Sequence, residues 1–449
     1  MDLTALRSRA LAAAFLLIVS RTAAVHAEEA PRALAGEREL AETPFRLVLP
    51  REHLFGDWLG ARTWLEDRGV TPEITFVTDA LGNPKGGLQQ DFTATNNLGV
   101  DLLFDFQKLF GIPGGLFEFS FSERFGSSLT QDDIGNVFSV QQIFPGTYKI
   151  VDLAYRQRLF GDRLEVRLGR IAAGDDFMVS AYSCVFVQNG FCGNPVGVFF
   201  NAPGMTAYPN ATWGAVVKVK PTERSYVMGG VYNGDPSVRD DSHHGAEFSI
   251  RGPVFAIGEV GYRINGLPGD QGLPGNYKAG FWYDHSQYTD FTTVGPGQTP
   301  ASSRGNWGIY GQFDQVLVRF GGNGSIRGLG ITASVLVSPD QSVSQMPFFG
   351  NAAVVVRGLL PPRPRDVLGF GVVYGHFSTD LQDSQRRQQQ VDPALGVQEH
   401  EIALELNWKF LLLEGAIFVQ PDLQYILQPG GTGQIPDAFV AGLQAGVNF

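Results

Sequence analysis

Charged side chains recur at every second position in several segments, opposite an apolar face. From Gly115 to Arg124, the residues Glu118, Ser120, Ser122 and Arg124 alternate with Phe117, Phe119 and Phe121. Carried through the chain, the same phase puts Asp101, Arg156, Arg158, Glu165, Arg167, Glu259, Arg263, Lys278, Asp284 and Glu405 on polar faces. Acids and bases intermixed suit contact with a polar, neutral molecule, whereas a surface selecting phosphates would carry an excess of Arg and Lys. A hydroxyl-rich molecule also needs an aromatic face for its apolar side. Trp282 shares the phase of Lys278 and Asp284 and is the candidate stacking surface, although a slip of one residue would exchange it with its neighbours Phe281 and Tyr283.

The elements that must hold these side chains are strands, since only a strand alternates its faces residue by residue. Leu98, Val100, Leu102, Phe104 and Phe106 oppose Asn97, Asp101 and Asp105, and Ile402, Leu404, Leu406 and Trp408 oppose Glu401, Glu405 and Asn407. Sixteen segments of this kind can be placed, among them 115–124, 163–171, 225–233, 254–264, 276–285 and 305–313. A short seventeenth stretch, 246–251, is read as part of an interrupted strand or of the preceding loop, because single-chain bacterial barrels have even strand numbers. Connections alternate between short turns, such as 159–162 and 221–224, and longer loops. The longest, 172–211, lacks periodicity and is expected to fold inward and narrow a pore. The early strands adjoin it, so Glu118, Arg124 and Arg167 are the expected constriction residues, with Arg170 and Asp175 where the loop begins.

Arg7 and Arg9 precede the apolar run Ala10 to Val19, too short to cross a bilayer as a helix, and small residues follow at 24–27. Residues 1–27 therefore read as a signal peptide. Loss of its three Arg and one Asp would take the formal charge from −11 to −13, which disfavours nucleic acid as a partner. No later stretch has the 18 or so apolar residues of a membrane helix, which leaves a closed barrel as the way to span a membrane. The final strand carries Phe439, Leu443, Val447 and Phe449 on one face and ends on an aromatic residue. The two cysteines, Cys184 and Cys192, are expected to form a disulfide within the long loop of an exported protein. Asp57 to Gly69 reads as a short helix, with Asp57 as N-cap and Gly69 as its stop.

Catalytic signatures are missing. There is no Gly-x-Ser-x-Gly elbow, no His-Glu-x-x-His pair and no phosphate-binding Gly-x-x-x-x-Gly-Lys loop. The cluster Asp240-Asp241-Ser242-His243-His244 reads as a solvated loop, not a metal centre. Neither an enzyme, a metal nor a cofactor is expected.

Several longer matches carry a family resemblance. Leu54-Phe55-Gly56-Asp57-Trp58-Leu59-Gly60-Ala61-Arg62, then Gly82-Asn83-Pro84-Lys85-Gly86-Gly87, Tyr232-Asn233-Gly234-Asp235-Pro236, Gly358-Leu359-Leu360-Pro361-Pro362-Arg363-Pro364-Arg365-Asp366 and Gln420-Pro421-Asp422-Leu423-Gln424-Tyr425 follow in order. The chain resembles the carbohydrate-selective porins of Gram-negative outer membranes over nearly all of its mature length. Only Leu381 to Val397, rich in Gln, departs from the pattern. The resemblance implies a sixteen-stranded barrel that passes monosaccharides such as glucose by diffusion.

The expectation is thus an all-β protein of the cell outer membrane: residues 28–70 as a periplasmic segment with a short helix, and 71–449 as a transmembrane antiparallel β-barrel. Its partners would be carbohydrate solutes and the surrounding lipid and lipopolysaccharide, with a homo-oligomer left open. A plugged barrel that binds partners through the loops 125–147, 172–211 and 378–397 is the alternative, as is a porin for other small polar solutes. A plug would fill the interior with paired charges and bulky groups. A pore would keep small positions such as Gly99, Ser120, Gly280 and Gly308 open.

Overall fold

The computed structural model describes residues 52–449, apart from residues 268–269 and 323–324. The expected signal peptide 1–27 and the periplasmic segment before residue 52 lie outside the described residues. Sixteen strands follow in chain order: β1 (Val70–Lys85), β2 (Phe92–Asp105), β3 (Gly115–Gly126), β4 (Tyr148–Leu159), β5 (Leu164–Ile171), β6 (Thr212–Thr222), β7 (Ser225–Asn233), β8 (Val254–Ile264), β9 (Gly275–Thr289), β10 (Ser302–Arg319), β11 (Gly328–Val337), β12 (Phe348–Arg357), β13 (Val367–His376), β14 (His400–Leu412), β15 (Ile417–Leu427) and β16 (Ala438–Asn448). Each pairs antiparallel with its sequence neighbours, and β1 closes on β16 from Thr75 opposite Asn448 to Lys85 opposite Phe439. Closure leaves no free sheet edge, as a membrane requires.

The pleat sorts the side chains as the alternation predicts. On β14, Glu401, Ala403, Glu405, Asn407 and Lys409 are buried inside the barrel, while Leu406 is exposed on the outer face. On β6 and β7, Val217, Val219, Val227 and Val231 are exposed outward. Two strands outrun their expected limits. β9 and β10 continue with the outward residues His285 and Gln287 on one and Arg304 on the other, Arg304 standing opposite Gln287. The apolar count stops there because the outer face leaves hydrocarbon, while backbone pairing goes on.

The chain ends are tied together. Phe449 donates its backbone N–H to Ile74 O, its ring lies 5.8 Å from that of Phe55, and Leu54 N–H reaches Asn448 O. The expected helix occupies Ala61–Asp67, preceded by a turn of 3-10 helix at Trp58–Gly60. Gly60, not Asp57, stands at the N-cap of this helix, while the Asp57 carboxylate reaches over the 3-10 turn to accept the Thr63 N–H at 2.7 Å and the Thr63 hydroxyl at 2.8 Å, and Gly69 stops the helix at φ +89°. These two bonds hold the Asp57 carboxyl below the usual aspartate range. Its contribution is therefore complete above the ordinary aspartate value and is lost as pH falls through the lowered one. Amide exchange at residues 61–67 is expected to accelerate across that acid window in the wild type and not in Asp57→Asn; identical acid profiles would mean that the Asp57 carboxylate does not hold the start of this helix.

The Gln-rich segment contains a helix, Thr379–Gln388, capped by the Ser378 hydroxyl, which accepts from the N–H groups of Asp380 and Leu381. Arg387 in its last turn donates to the carbonyls of Phe291 at 2.7 Å and Val294 at 2.8 Å, joining two extracellular loops.

Candidate functional site

A ladder of charges climbs the inner wall of β3, β4 and β5. Arg167 Nε meets Glu118 Oε2 at 2.8 Å, its Nη1 meets Asp176 Oδ2 at 2.8 Å, and its Nη2 lies 3.5 Å from Asp152. Arg156 Nε meets the other oxygen of Glu118 at 2.8 Å, and its Nη1 lies 3.4 Å from Glu165, which also pairs with Arg158 at 3.3 Å. Register explains the assembly, because Arg156 stands opposite Arg167, and Glu118 opposite Ala154. Two guanidinium groups side by side require carboxylates between them. The three arginines and four carboxylates nearly cancel.

Of the expected constriction residues, the fold therefore joins Glu118 and Arg167. Arg124 lies about 20 Å further along β3, where its Nε donates to Asn97 Oδ1 at 3.2 Å and its guanidinium lies 5.2 Å from the ring of Tyr208. Asp175 and Asp176 share the short helix Ala173–Asp176 that opens the long loop, and Asp176 makes the bond to Arg167. Arg170 is a correction. It pairs with Leu153 and Trp213, three residues from Arg167 and so on the opposite face. It is buried there, and its Nε donates to Ile150 O at 3.3 Å. An odd spacing along a strand cannot put both arginines in the lumen.

Buried wall groups catch the backbone of the loop 172–211 around the circumference. The Glu259 carboxylate accepts Met178 N–H at 2.9 Å; that of Glu405 accepts Val187 N–H at 2.8 Å and Gln188 N–H at 2.9 Å; that of Asp284 accepts Gly204 N–H at 2.5 Å. Ser180 Oγ bonds the Asp314 carboxylate, and Lys278 Nζ donates to Val179 O at 2.6 Å. A non-helical segment inside a barrel leaves backbone groups cut off from water, so the wall must supply their partners.

A second loop, 127–147, also turns inward, whereas the plugged-barrel alternative has it holding partners. Leu129, Ile134, Phe138, Val140 and Ile143 are buried. Glu401 accepts the N–H groups of Val137 at 2.7 Å and Phe138 at 2.8 Å, and also that of Gly430 at 2.8 Å. Asp79 accepts Ile143 N–H at 2.9 Å, and Gln424 donates to Val140 O at 2.8 Å. The inward acids of β14 were visible in sequence, but not what they would hold, and Asp79 of β1 was not among the residues read as inward.

The wall is not uniformly polar. Phe255, Ile257, Trp282, Tyr310, Phe349, Val355 and Val373 face inward and pack with Phe177, Met178, Phe186, Phe191, Val198 and Met205 of the long loop. Trp282 has the expected phase, but it is 0% exposed and so presents no free face to a solute. Gly308 and Gly280 serve neighbouring rings: a Cβ on Gly308 would stand 2.7 Å from Trp282, and one on Gly280 would stand 2.3 Å from Tyr310. The loop itself carries half-buried aromatics, Tyr182, Phe199, Phe200 and Tyr208, of which the tyrosines also bear a hydroxyl. Sequence alone gave no signal for them, since they lie outside any periodic segment.

Cys184 and Cys192 come together as two buried thiols with their sulfurs 2.7 Å apart. The disulfide expected there is not formed in this structure, whose separation exceeds the about 2.05 Å of a bonded pair. Among the described residues no group of three or more metal-ligating side chains is found.

Residues 89–449 match the family model described as carbohydrate-selective porin, OprB family. Porin B of Pseudomonas aeruginosa is 29% identical over 421 residues, covering 87% of this chain and 90% of that protein. The high-pH structure of Pseudomonas putida OprB matches with a TM-score of 0.82 at 26% identity, over 89% of this chain and 99% of that one.

Proposed function

The chain belongs to the OprB family of carbohydrate-selective porins, and from that premise we propose that this outer-membrane porin passes neutral monosaccharides such as glucose along the ladder of β3 to β5. The observation that carries the reading is the ladder itself, in which Arg167 is held by Glu118, Asp176 and Asp152. Charges already satisfied by one another do not concentrate ions, yet their remaining lone pairs and N–H groups can replace a sugar's water. Further along β3, Tyr208 beside Arg124 offers an aromatic surface of the kind first sought at Trp282. Solutes leave readily because each such contact is weak. Glu118, Arg124, Arg167 and Asp175 act as constriction groups in this reading, and Arg170 does not.

Single-channel conductance in a planar bilayer tests it. Glucose is expected to block the ion current saturably and a small organic anion not to, with Tyr208→Ala weakening the glucose block roughly tenfold, about 1.4 kcal/mol. Current without any sugar block would overturn the substrate. We also propose that a disulfide-bearing oxidant of the export compartment takes two electrons and two protons from Cys184 and Cys192 by thiol–disulfide exchange, leaving them as a disulfide in the exported protein. The non-reduced protein should then weigh two hydrogens less than the reduced one, and equal masses would exclude the bond.

A further inference from the structure

At the extracellular end of β9 and β10, the outer face carries a cavity of about 330 Å³ lined by Arg251, Pro253, His285, Gln287 and Arg304. Its size falls at the low end of the roughly 300–1,000 Å³ of small-molecule sites. Directly along the same strands, Tyr283 stands opposite Trp307, and Phe281 opposite Ile309, all exposed outward. Aromatic residues at such a level mark the boundary between hydrocarbon and headgroups in a transmembrane barrel. His285 and Arg304 lie just beyond that boundary.

Among the described residues neither Arg251 nor Arg304 has an ion-pair partner, whereas Arg156, Arg158, Arg167, Arg224 and Arg363 each hold a carboxylate. The Tyr283 hydroxyl lies 3.0 Å from His285 Nδ1, which leaves Nε2 as the imidazole nitrogen for another partner. The chain as a whole carries a formal charge of −11. Two uncompensated guanidinium groups around one cavity on so acidic a protein call for an anion, and the planar donor fork of Arg suits the oxygens of a phosphate.

We propose that this pocket binds a phosphate group of the lipopolysaccharide forming the outer leaflet. The inference rests on the outer-membrane placement of the barrel and is independent of which solute passes the lumen. The position favours a lipid source over free phosphate. Acyl chains of a bound lipid would lie against Phe281, Ile309 and the Tyr283–Trp307 pair while its headgroup filled the cavity. Basic pockets at the headgroup level of a membrane protein act in this way on anionic lipids.

The test compares the folded full-length mature barrel with the double variant Arg251→Gln, Arg304→Gln in detergent. Binding of bis-phosphorylated lipid A, of the same lipid after removal of its phosphates, and of inorganic phosphate is measured by native mass spectrometry. The variant is expected to bind phosphorylated lipid A weaker by roughly tenfold or more, with no difference between the proteins for the dephosphorylated lipid. Heat-modifiable migration and the glucose block should be unchanged, which separates loss of this site from misfolding or from failure of the sugar reading. Equal binding of phosphorylated lipid A by both proteins overturns the proposal. Retention of inorganic phosphate without discrimination for lipid A overturns it also, making the pocket a site for the free anion.

Discussion

Replacing Arg167 with Met is expected to destabilise the barrel by about 3–5 kcal/mol, the usual cost of breaking a buried ion network by removing one side. Arg167 holds Glu118 and Asp176 at 2.8 Å each, and the side chains of the Arg167–Glu118 pair are 4% and 9% exposed, so solvent offers little compensation. Arg156 would still neutralise part of Glu118, but Asp176 would lose its bond to the wall. Because Asp176 begins the inward loop, both the entrance of that loop and the charge of the lumen should change. A lower unfolding temperature should accompany a reversal potential shifted toward cation preference in a salt gradient. Adding Glu118→Gln should recover part of both effects. If neither stability nor ion preference moved, the ladder would be a passive decoration of the wall.

Glu401→Ala is expected to have an effect of comparable size by a different route. Its carboxylate is the acceptor for three backbone N–H groups, of Val137, Phe138 and Gly430. Each buried donor left unpaired costs about 1–3 kcal/mol, a cost the segment escapes by carrying its Val137 and Phe138 N–H groups to water. The segment around Phe138 should therefore leave the lumen, and the single-channel conductance should rise severalfold. Glu401→Gln retains one acceptor oxygen and should give an intermediate conductance. Unchanged conductance in Glu401→Ala would mean that Phe138, Val140 and their apolar neighbours hold this loop without the carboxylate.

Legibility in the sequence followed the range of the interactions. The limits of β7 and β8 match those expected from alternation, because the pleat is set by adjacent residues. β9 and β10 were underestimated where polar residues replaced apolar ones outside the hydrocarbon. Arg170 was read from its position at the loop's start alone, and its odd spacing from Arg167 went unused. Trp282 shows the limit of parity: it identifies the inner side but not whether water or protein lies there.

The loop 127–147 shows the same limit at larger scale. Its apolar residues have no period, and its main acceptor, Glu401, is 264 positions away from Val137. The wall around Phe255, Phe349 and Val373 is likewise apolar because a loop packs on it, so an interior strand face need not be polar. Paired charges and bulky inward groups, read from sequence as marks of a plug, coexist here with membership of a porin family.

The amino-acid order by itself determined the strands, their number, their two faces and the family to which the chain belongs, since each depends on local alternation or on motifs read in order. Tertiary structure decided which inward groups meet: Asp176 on Arg167, Tyr208 beside Arg124, Glu401 beneath two loops, and Arg251 with Arg304 at the rim. Those meetings are set by register around a closed barrel and by the demand of buried backbone for partners, and neither is written in neighbouring residues.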